Sequence, residues 1–284
     1  MLALLLALAL GVSDARTELR ELLRKEEPAY RERSLAINRE LQTLRADPWA
    51  GTYGGSGGLG SNLISLAPRA GIGFARRGCT GILNLNHGEI RNFGADWVEV
   101  EWKIDPALDT IDYLGRQQPR FGSKLLVIPW GDEQYLVPEP RLMEFVNAVN
   151  AREPILVSCF WKRRVQEDLE QGELPPGLPI VPVALRSSLL ETPLHCRCTA
   201  ARDVADPHPV DLPRIWRELK VDSGAQQKLR VGMCLFAGSR WGATGEVVEV
   251  VGRFAKVEFR TLLNEAQRSA LQAGIELSTR PPKD

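Results

Sequence analysis

The amino-acid sequence predicts a mainly β fold with flanking helices (α+β). An N-terminal helix leads into an antiparallel β meander, barrel or sandwich, and a smaller C-terminal β unit follows. Three observations predict this. Apolar residues recur at helical spacing up to residue 46 and at strand spacing from Trp49 onward. Gly (25) and Pro (19) are numerous enough to punctuate short strands with turns. The breaker cluster Leu174-Pro175-Pro176-Gly177-Leu178-Pro179 divides the β-rich region in two.

The chain opens with LALLLALAL over residues 2–10, an apolar run with no amphipathic period. It is shorter than the roughly 20 residues a membrane-spanning helix needs. Small residues Ser13 and Ala15 follow, as signal peptidase requires at −3 and −1. The expectation is a cleavable signal peptide over 1–15 and a periplasmic or secreted protein with no transmembrane span after leader removal.

Residues 16–46 predict a helix. Leu19, Leu22, Leu23, Tyr30, Ile37, Leu41 and Leu44 fall mostly three and four apart, with Glu and Arg between them. Pro28 should kink or split it. Strands are expected near 50–54, 62–67, 71–76, 80–86, 96–104, 124–130 and 134–137, forming the meander of a unit spanning 49–172. Residues 139–151 predict a helix with Pro140 in its first turn and Leu142, Phe145, Val146 and Val149 on one face. A strand over 155–161 and a polar helix over 162–172 complete the unit.

The second unit, 173–284, is expected to hold strands at Val181–Leu190 and Cys196–Val204. A Pro-rich loop over 205–213 and a short helix over 214–220 come next. Val231–Phe236, Gly245–Val251 and Phe254–Phe259 read as further strands, with Gly252-Arg253 as a hairpin turn. A helix over 263–273 closes the chain at Gly274. This pattern of short strands resembles a small SH3-like barrel.

Lys+Arg and Asp+Glu are both 36, so the chain lacks the basic excess of a dedicated nucleic-acid binder. Gly55-Ser56-Gly57-Gly58-Leu59-Gly60 matches G-x-G-x-x-G, but Ser61–Ala67 reads as a strand. A dinucleotide site needs a helix there to carry the phosphate. No cofactor is expected. His195-Cys196-Arg197-Cys198 gathers three soft ligands and is a candidate metal segment. On a strand, however, Cys196 and Cys198 share a face and His195 takes the other. Cys79, Cys159, Cys196, Cys198 and Cys234 make five cysteines, so at least one is unpaired within the chain. His87 and His208 read as turn and loop residues, as do Asp132 and Glu133. Trp49, Tyr53, Trp97, Trp102 and Trp130 cluster in the first unit. They are candidates to line a ligand cavity, with core packing as the blander use.

Trp49-Ala50-Gly51-Thr52-Tyr53, Gly58-Leu59-Gly60-Ser61-Asn62, Leu66-Ala67-Pro68 and Gly78-Cys79-Thr80-Gly81 carry a resemblance. Residues 49–150 look like a set of uncharacterised exported bacterial proteins with a W-x-G-x-Y start and a G-L-G-x-N turn. The opening also resembles lipocalin-like barrels loosely. The resemblance implies a β meander and export, and brings no chemistry. The functional expectation is therefore a non-enzymatic envelope or periplasmic protein binding a small apolar ligand or a partner protein. The alternative is a hydrolase with a spatially assembled site.

Overall fold

A computed structural model describes residues 2–44, 47–57, 60–78, 81–104, 122–152, 161–163, 174–205, 215–238, 243–259 and 265–281. The chain divides into two compact units. One comprises Met1–Arg141 and Leu156–Gly172; the other comprises Leu142–Ile155 and Glu173–Asp284.

The first unit is a helix on a closed antiparallel barrel. Helix α1 spans Leu2–Thr43. The strands are β1 (Gly51–Gly57), β2 (Gly60–Ala67), β3 (Gly71–Gly78), β4 (Gly81–Phe93), β5 (Trp97–Trp102), β6 (Lys124–Trp130), β7 (Glu133–Pro138) and β8 (Trp161–Arg163). Each pairs with the next, and β8 returns to β1, so among the described residues no strand of this barrel lacks a neighbour on either side. The meander thus takes the barrel form rather than the sandwich. The glycine run is the tip of the β1–β2 hairpin, with Gly57 opposite Gly60 and a strand after it.

Side chains alternate in and out along these strands. Tyr53, Ile64, Leu66, Ile72, Phe74, Val98, Val100, Leu125, Val127 and Leu136 form one buried cluster with Trp49. The interior is therefore filled by side chains. Complete burial of each large apolar member contributes about 1.5–3 kcal/mol. Leu41 and Leu44, at the end of α1, pack against the same cluster.

The second unit holds α2 (Leu142–Ala151), α3 (Val183–Arg186), β9 (His195–Ala205), β10 (Ile215–Val221), β11 (Cys234–Ala237), β12 (Ala243–Val251), β13 (Phe254–Phe259), α4 (Glu265–Ala270) and β14 (Glu276–Ser278). Its strands close in the order β10-β13-β12-β11-β14-β9. Cys196, Cys198, Leu219, Val221, Leu235, Val247, Val257 and Phe259 are among its buried core. The β12–β13 hairpin turns on Gly252-Arg253, between the paired Val251 and Phe254, and Gly252 has φ of 55°. Glycine takes this positive φ without strain.

Several expectations are corrected. α1 continues unsplit through Pro28, which lies on its exposed side. There the ring removes one backbone donor, and docking of the helix on either side holds the two halves in line. Residues 214–220 are not helical, because Ile215–Val221 is a strand paired on both sides by β9 and β13. Val181–Leu190 is not a strand. It holds the one-turn helix α3 with Pro182 at its N-cap, where proline cannot donate to a ladder. Residues 162 and 163 belong to β8, not to a helix. His87 lies inside the 13-residue β4, not in a turn. Helix α2 groups with the second unit although it precedes residue 173. Its Asn147 is bonded to Gly232 and Cys234, and its Asn150 to Ser188 and Leu190. The expected strand over 155–160, most of the helix over 162–172, most of the 205–213 loop, His208, Cys79 and Cys159 lie outside the described residues.

Candidate functional site

The aromatic residues singled out by the sequence do not gather round an empty cavity. Trp49 (1% exposed), Tyr53 (0%) and Trp130 (1%) are buried in packing. The Tyr53 hydroxyl donates to the Trp49 carbonyl at 2.9 Å, which satisfies the one polar atom its ring carries inside. Trp102 packs at the margin of the same cluster, and its Nε1 donates to the Gly122 carbonyl at 3.2 Å. Trp97 is half-buried under the Lys124 ammonium, 5.5 Å from its ring centroid. Trp130 instead meets Tyr135, with ring centroids 5.8 Å apart.

The His195–Cys198 segment alternates along β9. Cys196 and Cys198 face the core of the second barrel and His195 is exposed. Burial pushes the Cys196 thiol up to about 12 and raises that of Cys198. Cys234 is likewise pushed up to about 12 by burial. These thiols stay protonated at neutral pH, whereas a metal ligand or nucleophile works as the thiolate. Among the described residues, no three His, Cys, Asp or Glu side chains are grouped to hold a metal.

The structure assembles a site that the sequence reading passed over, where α1 crosses the outside of the first barrel. Glu26, Tyr30, Arg33, Ile37 and Glu40 recur at spacings of four and three, which places them in one stripe along the helix. The two apolar members lie over Gly73 of β3. A Cβ there would come within 3.4 Å of the Tyr30 ring and 3.6 Å of Ile37. Each polar member has a specific partner. Glu40 accepts from the Arg69 and Ala70 amides at 3.0 and 2.7 Å and so holds the β2–β3 turn. Arg33 donates to the Ala70 and Gly88 carbonyls. Glu26 meets His87, with Oε2 3.2 Å from Nε2.

His87 sits opposite Gly73 in the β3–β4 ladder and its side chain is 7% exposed. Burial lowers its pKa below the ordinary histidine value. The bond to Glu26 opposes that shift, and the Arg33 and Lys103 charges reinforce it. An ionised carboxylate only accepts, so the ring must carry its proton on Nε2 to bond Glu26. In the neutral ring that leaves Nδ1 as a bare acceptor. It is buried and has no hydrogen-bond partner among the described residues. Buried acceptors of this kind are rare, and leaving one unsatisfied costs about 1–3 kcal/mol.

Beside this dyad lies a cleft of ≈ 490 Å³. Glu32, Arg33, Arg69, His87, Glu89 and Ile90 line it, and the small Ala29 and Ala36 on α1 leave it room. The helical stripe was visible in the sequence, but its partner was masked. Asn84 and Asn86 beside His87 read as turn formers, whereas Asn86 spends its amide on the Ile104 backbone at 2.9 and 3.1 Å.

A second, smaller cleft on the other barrel is lined by Arg202, Glu218, Lys220, Phe254 and Lys256. Lys220 lies over the Phe254 ring there, 4.3 Å from its centroid. Glu218 binds Arg202 at 2.6 Å and Lys256 at 2.8 Å. No protein-family model, curated protein or solved structure matches this chain.

Proposed function

We propose that the chain is an exported periplasmic or secreted protein that works by binding rather than catalysis. The observation that carries the export half is the apolar run over residues 2–10 followed by Ser13 and Ala15. The binding half is supported by the distribution of space. Of the aromatics that would line an apolar cavity, Trp49 and Tyr53 are spent in the core of the first barrel and Trp102 packs against it. The cleft beside α1 is concave and of small-molecule size, and half of its ten lining side chains are polar or charged. The occupant is therefore better sought outside the barrel than within it. Envelope proteins remain the partner class that the export signal brings within reach.

Fractionation of the native host with intact-mass measurement tests the reading. The expected result is a mature chain beginning at Arg16 in the envelope or medium. A chain retaining Met1 in the cytosol overturns it.

A hydrolytic second reading has one observation in its favour, the contact between His87 and Glu26. A carboxylate-oriented imidazole is the base half of a nucleophile–base pair. Among the described residues, no hydroxyl or thiol bonds the other ring nitrogen.

A further inference from the structure

The end of the first barrel where β1 turns into β2 and β3 into β4 carries two in-register rows that core packing does not explain. We propose that this rim binds a planar monocarboxylate, an aromatic or conjugated carboxylic acid, with its carboxylate on Arg76 and its flat body on a ledge of glycines. The inference rests on the reading of the chain as a binding protein, not on the cleft beside α1, and it names a ligand chemistry. The site lies at the rim, beyond the side chains that fill the interior.

Three observations carry it. First, Arg76 is an inward-facing cation without a counter-ion. Along β3, Ile72 and Phe74 belong to the interior cluster, whereas Gly73 and Ala75 lie on the other face, beneath Tyr30 of α1. Arg76 continues the inward set. It is half-buried, and among the described residues it pairs with no carboxylate. A guanidinium cannot shed its charge, so withdrawing it from water is costly until an anion meets it. A carboxylate does so through two parallel hydrogen bonds. Second, the row around Arg76 holds one charge. Gly55, Asn62, Arg76 and Asn84 stand opposite one another across β1 to β4 and so share a face. A single cation, with the half-buried Asn62 amide beside it, suits a monoanion better than a dianionic phosphate. Third, the next row toward the rim is Gly57, Gly60, Gly78 and Gly81, again in register. Four strands make this bare strip about 14 Å wide, and it lies about 6.6 Å along the strands from the Arg76 row. Glycine weakens a strand interior and marks places where a ligand or another backbone comes close. A flat ring held by its carboxylate at Arg76 reaches this strip and meets no Cβ on it.

The experiment titrates the full chain, labelled with ¹⁵N-arginine, by calorimetry and by ¹H–¹⁵N spectra of the guanidinium Nε–H groups. The probes are benzoate, trans-cinnamate and 2-naphthoate. The comparators are cinnamamide, which is flat and neutral, cyclohexanecarboxylate, which is charged and puckered, and phenyl phosphate. The expected result is saturable binding of at least one aromatic carboxylate, with a shift of the Arg76 Nε–H signal. Arg76→Gln removes the charge and should weaken binding at least tenfold. Arg76→Lys keeps the charge, loses the fork and should weaken it severalfold; it serves if Arg76→Gln does not fold. Gly60→Val and Gly78→Val each place a side chain on the ledge and should weaken the aromatic carboxylates toward the level of cyclohexanecarboxylate.

The assignment is overturned if no aromatic carboxylate binds, or if cinnamamide, cyclohexanecarboxylate or phenyl phosphate binds as tightly. It is also overturned if the folded Arg76 variants, or both folded glycine variants, bind as well as the parent. Binding that ignores Arg76 removes this site and leaves the binding reading in place. Hydrolysis of methyl benzoate overturns the non-enzymatic reading, while the carboxylate titration still decides this site. Export is judged separately by the fractionation result.

Discussion

One side chain in the first unit holds several backbone segments at once and predicts a measurable loss, and a second predicts a pH dependence. Arg163, the last residue of β8, donates to the Pro48 carbonyl at 3.0 Å, the Asp47 carbonyl at 3.2 Å, the Ala50 carbonyl and Gln134 Oε1. It ties the entry of β1 to the strand that closes the barrel. Arg163→Ala should cost about 2–3 kcal/mol, since bonds to a charged donor are the stronger kind. Urea unfolding checks this as a fall in midpoint at unchanged slope. His87 predicts a pH dependence. Burial holds its folded pKa below the ordinary value of 6.5, with Glu26 and Arg33 facing it from α1 and Lys103 following β5. Between the folded and unfolded values the unfolded chain binds the extra proton. Stability from this group is therefore full above about 6.5 and is lost as pH falls toward the folded value. His87→Gln should flatten that part of the stability–pH curve. A slope unchanged by the substitution would assign it to other groups.

At the level of elements, α1 stays on the barrel because its stripe is matched by glycines. Gly71 has φ of +89°, and a Cβ on it would run into the Gly88 carbonyl and the Arg33 guanidinium. Gly71→Ala should destabilise by about 2 kcal/mol or more, through a strained backbone and a displaced Arg33. Thermal melts read the loss, and the His87 signals should shift with it. Most of these elements were legible from pattern. In β5, Val98 and Val100 alternate with exposed or half-buried positions, and in β13 Ala255, Val257 and Phe259 do the same, so period two stands plainly in the sequence. β10 was not legible. Its Ile-Trp-Arg-Glu-Leu-Lys stretch contains good helix formers, and strand pairing on both sides overrides their propensity. His87 was hidden for a related reason. Asparagines signal turns through the bonds their amides make to local backbone, and Asn86, besides accepting from the His87 amide, is tied to the Ile104 backbone 18 residues away. The helix half of the site was readable; its partner depended on a long-range contact that no local pattern records.

Each unit of the molecule has its own buried cluster and its own closed hydrogen-bond ladder. In the second unit the counterpart of Arg163 is Asn150, 2% exposed on α2. Its amide donates to the Ser188 carbonyl at 2.9 Å and accepts from the Leu190 amide at 2.9 Å. The neighbouring Arg280 donates to the Asn150 carbonyl at 3.3 Å. Asn150→Ala leaves two buried backbone groups unpaired, at about 1–3 kcal/mol for each orphaned group. Two separate cores with separate staples predict two cooperative unfolding steps rather than one. In scanning calorimetry, Arg163→Ala should lower one transition and leave the other in place. Asn150→Ala should do the reverse. A single transition lowered by both substitutions would mean that the two barrels unfold as one cooperative body, with stability passing between them rather than being generated within each.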